Sequence, residues 1–199
     1  MYPPDNSSVT DKELIKKAKR KDKHAFSSLI NRYSDKILGY LTRYVGDYHK
    51  AEDLTIETFL NAYERMDTYK EMGKFSSWLY MIATNCAKKE LQRKKRLKEV
   101  PLEKPIDKDG QITLKDLLAD DRSRPDYNAR QSELKEMIYS IIAKLDKKYK
   151  DVLLLCDVEG LAYDEVAKIL KCNAITVGTR VRRARKSLYK LLRRYGYKL

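Results

Sequence analysis

Apolar side chains recur at steps of three and four through most of the first hundred residues, the spacing of one face of a helix. After a basic opening helix, Phe26, Leu29, Ile30, Tyr33, Ile37, Tyr40, Leu41 and Tyr44 define a second, which Gly46-Asp47 ends. A third carries Ala51, Leu54, Thr55, Thr58, Phe59, Ala62 and Met66 on one side. Gly73 breaks the chain, and a fourth turns Phe75, Leu79, Ile82, Ala83 and Cys86 inward. The C-terminal third predicts four more helices. They lie over about 131–144, about 147–157 with its run Val152 to Leu155, 161–171, and from Asn173 onward. Asn173 is a good N-cap for the last, because its side-chain oxygen can accept from the first free N–H groups. On a wheel of that helix Val177, Val181, Ala184 and Leu188 fall within about 60° of one another. No stretch alternates apolar and polar residues as a strand does. The predicted fold class is all-α, with two small helical domains.

The pattern lapses between them. Residues 97–128 hold three of the five prolines (Pro101, Pro105, Pro125) and the turn Asp109-Gly110. With six Lys/Arg and eight Asp/Glu, this window is net acidic inside a chain of net charge +14. It reads as a linker, leaving domains at 1–96 and 129–199. Leu114, Leu117 and Leu118 form a short apolar patch within it.

Charge then narrows the function. A pI near 9.5 points to a polyanionic partner. No run approaches 18 apolar residues, so no membrane insertion is expected. The opening Met-Tyr-Pro-Pro-Asp lacks a signal-peptide pattern, which makes the cytoplasm the expected location. Cys86, Cys156, Cys172, His24 and His49 share no metal-ligand spacing, so the thiols read as reduced and structural. No nucleophile triad, glycine-rich phosphate loop or HExxH motif is present. No metal, no cofactor and no enzymatic activity are expected.

Three helix faces carry the remaining information. Opposite the apolar side of the last helix lie Ile175, Thr179, Arg182, Arg183 and Lys186, flanked by Arg180 and Arg185. From 171 to 199 there are ten Lys/Arg and no acid. A merely solvated face mixes signs, so this one needs an anionic partner. The preceding helix and three-residue turn complete the layout of a helix-turn-helix, whose second helix enters the major groove. Ile175, Thr176 and Thr179 lie in its first two turns. The third helix is the reverse: Glu52, Asp53, Glu57 and Glu64 surround Ile56 and Leu60, an apolar centre with an acidic rim that fits a protein partner. On the fourth, Trp78, Met81, Asn85 and Lys88 form a strip at i, i+3, i+7 and i+10, near Lys74 and Lys89. An aromatic ring, an amide and a cation suit single-stranded nucleic acid, although Trp78 also reads as a core residue. Seven Lys/Arg follow in 88–98.

These blocks resemble the extracytoplasmic-function sigma factors. The stretch Ala51-Glu52-Asp53-Leu54-Thr55-Ile56-Glu57-Thr58-Phe59 is similar to that family's polymerase-binding helix, and Phe75 to Asn85 is similar to its promoter-melting helix. Leu145 to Leu155, Asp157 to Tyr163 and Arg180-Val181-Arg182-Arg183-Ala184-Arg185 resemble its second domain. The resemblance implies that Glu52, Asp53, Ile56, Glu57 and Leu60 meet the clamp helices of RNA polymerase core. It implies that Lys74, Trp78, Met81, Asn85, Lys88 and Lys89 hold the −10 element with a base flipped near Asn85. Ile175, Thr176, Thr179, Arg180, Arg182, Arg183, Arg185 and Lys186 would read the −35 element, with the polymerase flap as a further contact. A separation of about 17 base pairs spans roughly 58 Å, within reach of a linker of thirty-odd residues. An anti-sigma factor is implied as a further partner.

The chain departs from the family pattern in places. Ile56 stands where the family usually has Gln, and Gly178 and Thr179 replace a basic residue and a serine. Lys171 occupies the turn position usually held by Gly. A second reading is a stand-alone helix-turn-helix regulator. Its first domain should then show a ligand pocket or a coiled-coil seam.

Overall fold

Each helix starts where a side chain takes up its first free N–H groups. Helix α1 (Asp11–Lys19) opens with a reciprocal capping box between Thr10 and Glu13. Asp22 opens α2 (Lys23–Val45), its Oδ1 accepting from the backbone of His24 at 2.9 Å and Ala25 at 3.1 Å. Asp47 opens α3 (Tyr48–Glu64) by accepting from Lys50 N–H at 3.0 Å. Helix α2 stops at Gly46, whose φ of 71° is the left-handed geometry of a helix end. After a 3₁₀ turn at Met66–Thr68 comes α4 (Phe75–Glu99). The computed structural model describes residues 9–70, 73–99, 139, 141–142 and 145–194. Among these there is no strand.

Helix α2 packs against α1, α3 and α4. Its inward residues Leu29, Ile37, Tyr40, Leu41 and Tyr44 are fully buried. Burying tyrosine requires a partner for its hydroxyl. Tyr40 finds Thr84 Oγ1 at 2.7 Å, and Thr84 donates in turn to the Tyr80 carbonyl at 2.6 Å. Asp11 receives both Arg32 and the Tyr33 hydroxyl, fastening α1 to α2.

The second group comprises α5 (Lys147–Val152), a π-helical turn at Leu153–Val158, α6 (Tyr163–Leu170) and α7 (Ala174–Arg194). Two expected boundaries move. The helix expected over 147–157 divides, because its last part takes i→i+5 geometry. The helix expected from 161 begins at Tyr163, after Gly160 at φ 67° and with Glu165 accepting from Ala162 N–H at 3.0 Å. Val152, Leu153, Leu154 and Leu155 are all buried, so this segment is surrounded on every side rather than on one stripe. Of the helix expected over 131–144, Tyr139, Ile141 and Ile142 are described as helical, and Ile141 packs against Leu192. The linker and its leucine patch lie outside the described residues.

The turn between α6 and α7 is short because Lys171 adopts φ 52°, ψ 50°. A β-carbon makes that conformation unfavourable, yet its N–H closes the α6 end by bonding to Ala167 and Lys168 carbonyls. Lys171→Gly should therefore stabilise the fold by about 0.5–1 kcal/mol, after the extra unfolded-state freedom of glycine is subtracted. A denaturant melt with unchanged slope would register this; an unchanged or lower midpoint would show that Lys171 is not strained. Gly178 has a different reason. A β-carbon there would lie 3.4 Å from the ring of Tyr163, which crosses α7 at that point.

The two groups touch. Helix α4 packs on α6, and α2 on the π turn, so their apolar interiors form one continuous core.

Candidate functional site

Helix α7 stands on Asn173, whose Oδ1 accepts from Thr176 N–H at 2.7 Å. Val177, Val181 and Ala184 are buried beneath it. Ile175 is 82% exposed, and Arg182, Arg183 and Lys186 are exposed on the outer side, with Thr176, Thr179 and Arg180 half-buried among them. Ile175, Thr176, Thr179, Arg180, Arg183 and Asn173 border an open concavity of about 290 Å³, closed on its far side by Lys148 and Tyr149. The helix N-terminus and three cations around one hollow suit an anionic group. Sequence reasoning passed over Lys148 and Tyr149 as DNA-facing residues. The Lys147-Lys148 pair just inside α5 was the available signal.

Arg185 behaves differently from its neighbours. It makes a two-pronged bond to Asp157, with Nε to Oδ2 at 2.9 Å and Nη2 to Oδ1 at 2.6 Å. The carboxylate holds this guanidinium charged even beyond its ordinary range. Arg185 thus pins α7 to the π turn. Cys156, beside that pair, has its thiol pushed up to about 11 by burial and by Asp157, which keeps it protonated and unreactive near neutrality.

On α3, Ile56 and Leu60 are 62% and 60% exposed, one turn apart. Asp53 is exposed beside them and pairs with Lys50 at 3.1 Å. Glu52 and Glu57 are half-buried, near His49 at 3.3 Å and Lys89 at 4.0 Å. An apolar pair ringed by acids is left open to solvent.

The α4 strip divides. Trp78 is half-buried, its ring 5.2 Å from Tyr69 and 5.6 Å from Phe75, and Tyr33 extends the aromatic cluster. Met81 is half-buried, while Asn85 and Lys89 are exposed. Lys88 is not free for a ligand: its ammonium lies 2.8 Å from Asp151. Lys74 lies 3.6 Å from Glu165. Burial pushes the Glu165 carboxyl up, but the Ala162 N–H, the Ser77 hydroxyl and Lys74 together hold it below the usual range. These acids from the second group meet α4 across more than sixty residues of chain, and no local pattern announced them.

Among the described residues no three His, Cys, Asp or Glu side chains gather as a metal site. No described helix is long and apolar enough to cross a membrane.

Comparison with known proteins agrees with this arrangement. The Sigma-70 region 2 family matches residues 29–97, and Sigma-70 region 4 matches 135–188. The chain is 34% identical to the ECF RNA polymerase sigma factor SigW of Bacillus subtilis, covering 92% of this chain and 96% of that one. It is 32% identical to the RNA polymerase sigma-H factor of Pseudomonas aeruginosa, covering 92% and 93%. A structure of CnrH in complex with the cytosolic domain of CnrY shares the fold, with a TM-score of 0.65 at 21% identity over 92% of this chain and 96% of that one. The helix-turn-helix, the basic face of α7 and the acidic-rimmed face of α3 are therefore parts of one machine: the chain belongs to the extracytoplasmic-function sigma factors of the sigma-70 family, which bind RNA polymerase and direct promoter-specific initiation.

Proposed function

We propose that residues 1–96 dock on the polymerase core and open the −10 element, and that residues 129–199 read the −35 element, joined by the 97–128 linker. Ile56 and Leu60, with Glu52, Asp53 and Glu57 around them, meet the clamp helices. Trp78, Met81 and Asn85 take the unpaired strand, with Lys74, Lys88 and Lys89 on its phosphates. Ile175, Thr176, Thr179, Arg182 and Arg183 face base edges, Arg180 and Lys186 face phosphates, and Arg185 orients the helix through Asp157. The chain performs no chemistry of its own and works in the cytoplasm. An anti-sigma factor is a fitting regulator, since CnrH is held by the cytosolic domain of CnrY.

One observation carries the reading. Helix α7 buries Val177, Val181 and Ala184 on one side and presents an all-cationic, acid-free face on the other, on a helix-turn-helix frame. Run-off transcription with bacterial core polymerase and genomic promoter fragments tests it. Discrete start sites should appear only when the chain is added. DNA binding without any polymerase-dependent initiation would instead favour the stand-alone regulator.

Within that assay Asn85→Ala should lower initiation several-fold on duplex promoters and recover partly on a pre-melted bubble. Unstacking a base costs a few kcal/mol, and a polar pocket offsets part of that. Asn85 is exposed, so folding should be untouched. Equal defects on both templates would remove melting from its role.

A further inference from the structure

The contacts between the two helical groups are polar, specific and placed on the strip assigned to DNA. Asp151 is only 5% exposed. Its carboxylate accepts from the Tyr44 hydroxyl at 2.6 Å and pairs with Lys88 at 2.8 Å. Glu159 accepts from the Tyr80 hydroxyl at 2.5 Å and from Arg43 at 2.5 Å. Glu165 accepts from the Ser77 hydroxyl at 2.9 Å. Lys150, itself buried, donates to the Tyr44 carbonyl at the end of α2 at 3.3 Å. Asp151 and Glu159 thus spend these bonds on the other group, on α2 and α4.

We propose that the free chain closes on itself, with Asp151 and Glu159 bolting the second helical group onto α2 and α4 and withholding Lys88 from DNA until polymerase binding opens the bolt. This rests on the reading of α4 as the −10 surface.

Three observations make the contact a switch rather than a fixed joint. First, a phosphate and the Asp151 carboxylate seek the same ammonium, so DNA and the closed state compete directly. Second, the bolt is finely balanced. Desolvating paired charges costs nearly as much as their attraction returns, and the buried Arg43 Nε has no hydrogen-bond partner, so the closed face is incompletely satisfied. Third, Ile56 and Leu60 remain exposed while Lys88 is covered, so the polymerase-facing surface is open in the closed state.

Reach gives the same answer. Helix α4 packs on α6 and α6 on α7. At 8–10 Å between packed axes, the two DNA-facing helices lie within roughly 20 Å. Two promoter elements about 17 base pairs apart are separated by roughly 58 Å. The closed form cannot hold both.

The test uses the full chain and two sets of substitutions, one on each side of the bolt: Asp151→Asn with Glu159→Gln, and Tyr44→Phe with Tyr80→Phe. The first set keeps side-chain size, and the second keeps the buried rings, so each group retains its own core. Small-angle scattering of the free wild type should give a radius of gyration below about 20 Å, near the compact value for this length, and both double variants should expand beyond about 25 Å. Affinity for a fluorescein-labelled single-stranded oligonucleotide of mixed sequence should rise about three- to tenfold in both. Once core polymerase is bound, wild type and variants should bind DNA alike. A wild type already expanded, or variants as compact as wild type, would overturn the bolt. So would expansion without any gain in DNA affinity while Asn85→Ala and Lys88→Ala still weaken binding in that background. Expansion in which those two changes have no effect leaves the bolt standing and removes the −10 reading of α4.

Discussion

Replacing Ile56 with glutamate is expected to weaken binding to polymerase core by about 30- to 300-fold, the range of a central interface residue costing roughly 2–3.4 kcal/mol. Ile56 and Leu60 are the apolar centre of the α3 face, and both are more than half exposed. In the free chain such a change is nearly silent, since surface positions move stability by only about 0.5 kcal/mol and glutamate is at least as good a helix former as isoleucine. In the complex it places an unpaired carboxylate where water has been excluded, inside a rim already acidic. Leu60→Glu should behave alike. Reversing charge at Asp53 is a milder change of another kind. Asp53 is exposed and paired only with Lys50, one turn before it, so Asp53→Lys should act mainly on the association rate and fade with salt. Titrating labelled chain with core polymerase at two salt concentrations separates the two. Wild-type affinity for Ile56→Glu, with its helicity and melting unchanged, would remove α3 from the interface.

How much of this was legible without coordinates depends on the range of the signal. Helix starts are local events, and Thr10, Asp22, Asp47 and Asn173 each cap within three residues. The inward residues of α2, α3 and α4 follow from spacing alone. The face of α7 was legible because acid is missing from an entire segment, which composition records directly. The π turn was not, since Val152 to Leu155 reads equally as a buried α-helix. Arg185 was placed among its phosphate-facing neighbours because its partner, Asp157, lies twenty-eight residues away. The contacts of Asp151 and Glu159 with α2 and α4 span 79 to 116 residues. A carboxylate in sequence looks the same whether it faces water or a lysine of another domain, so pairings at that distance leave no periodic trace. Lys88 shows the consequence: its residue type fits a DNA contact, while its position also fits a bolt.

That same distinction separates the cations of α7. Arg182→Ala should reduce affinity for the −35 duplex about 5- to 150-fold at its preferred sequence, corresponding to roughly 1–3 kcal/mol for a bidentate guanine contact. The preference at one base pair should relax with it. Arg182 is exposed and lies opposite Val181, in the half of α7 nearest the Asn173 cap, where a recognition helix reaches base edges. Ile175 and the Thr179 methyl can meet thymine methyl groups on the same side. Lys186 lies one turn further along, and Lys186→Ala should weaken every sequence alike and lower the salt slope by about 1. Arg185→Ala should do neither. Its guanidinium is committed to Asp157, so its loss should loosen α7 on the π turn, and Asp157→Asn should reproduce the defect although position 157 touches no DNA. A randomised −35 library, selected against each variant at two salt concentrations, reads preference and slope together. An unchanged base preference for both Arg182→Ala and Thr179→Ala would mean that α7 does not read sequence through this face. A wild-type result for Asp157→Asn beside a weakened Arg185→Ala would return Arg185 to the phosphates.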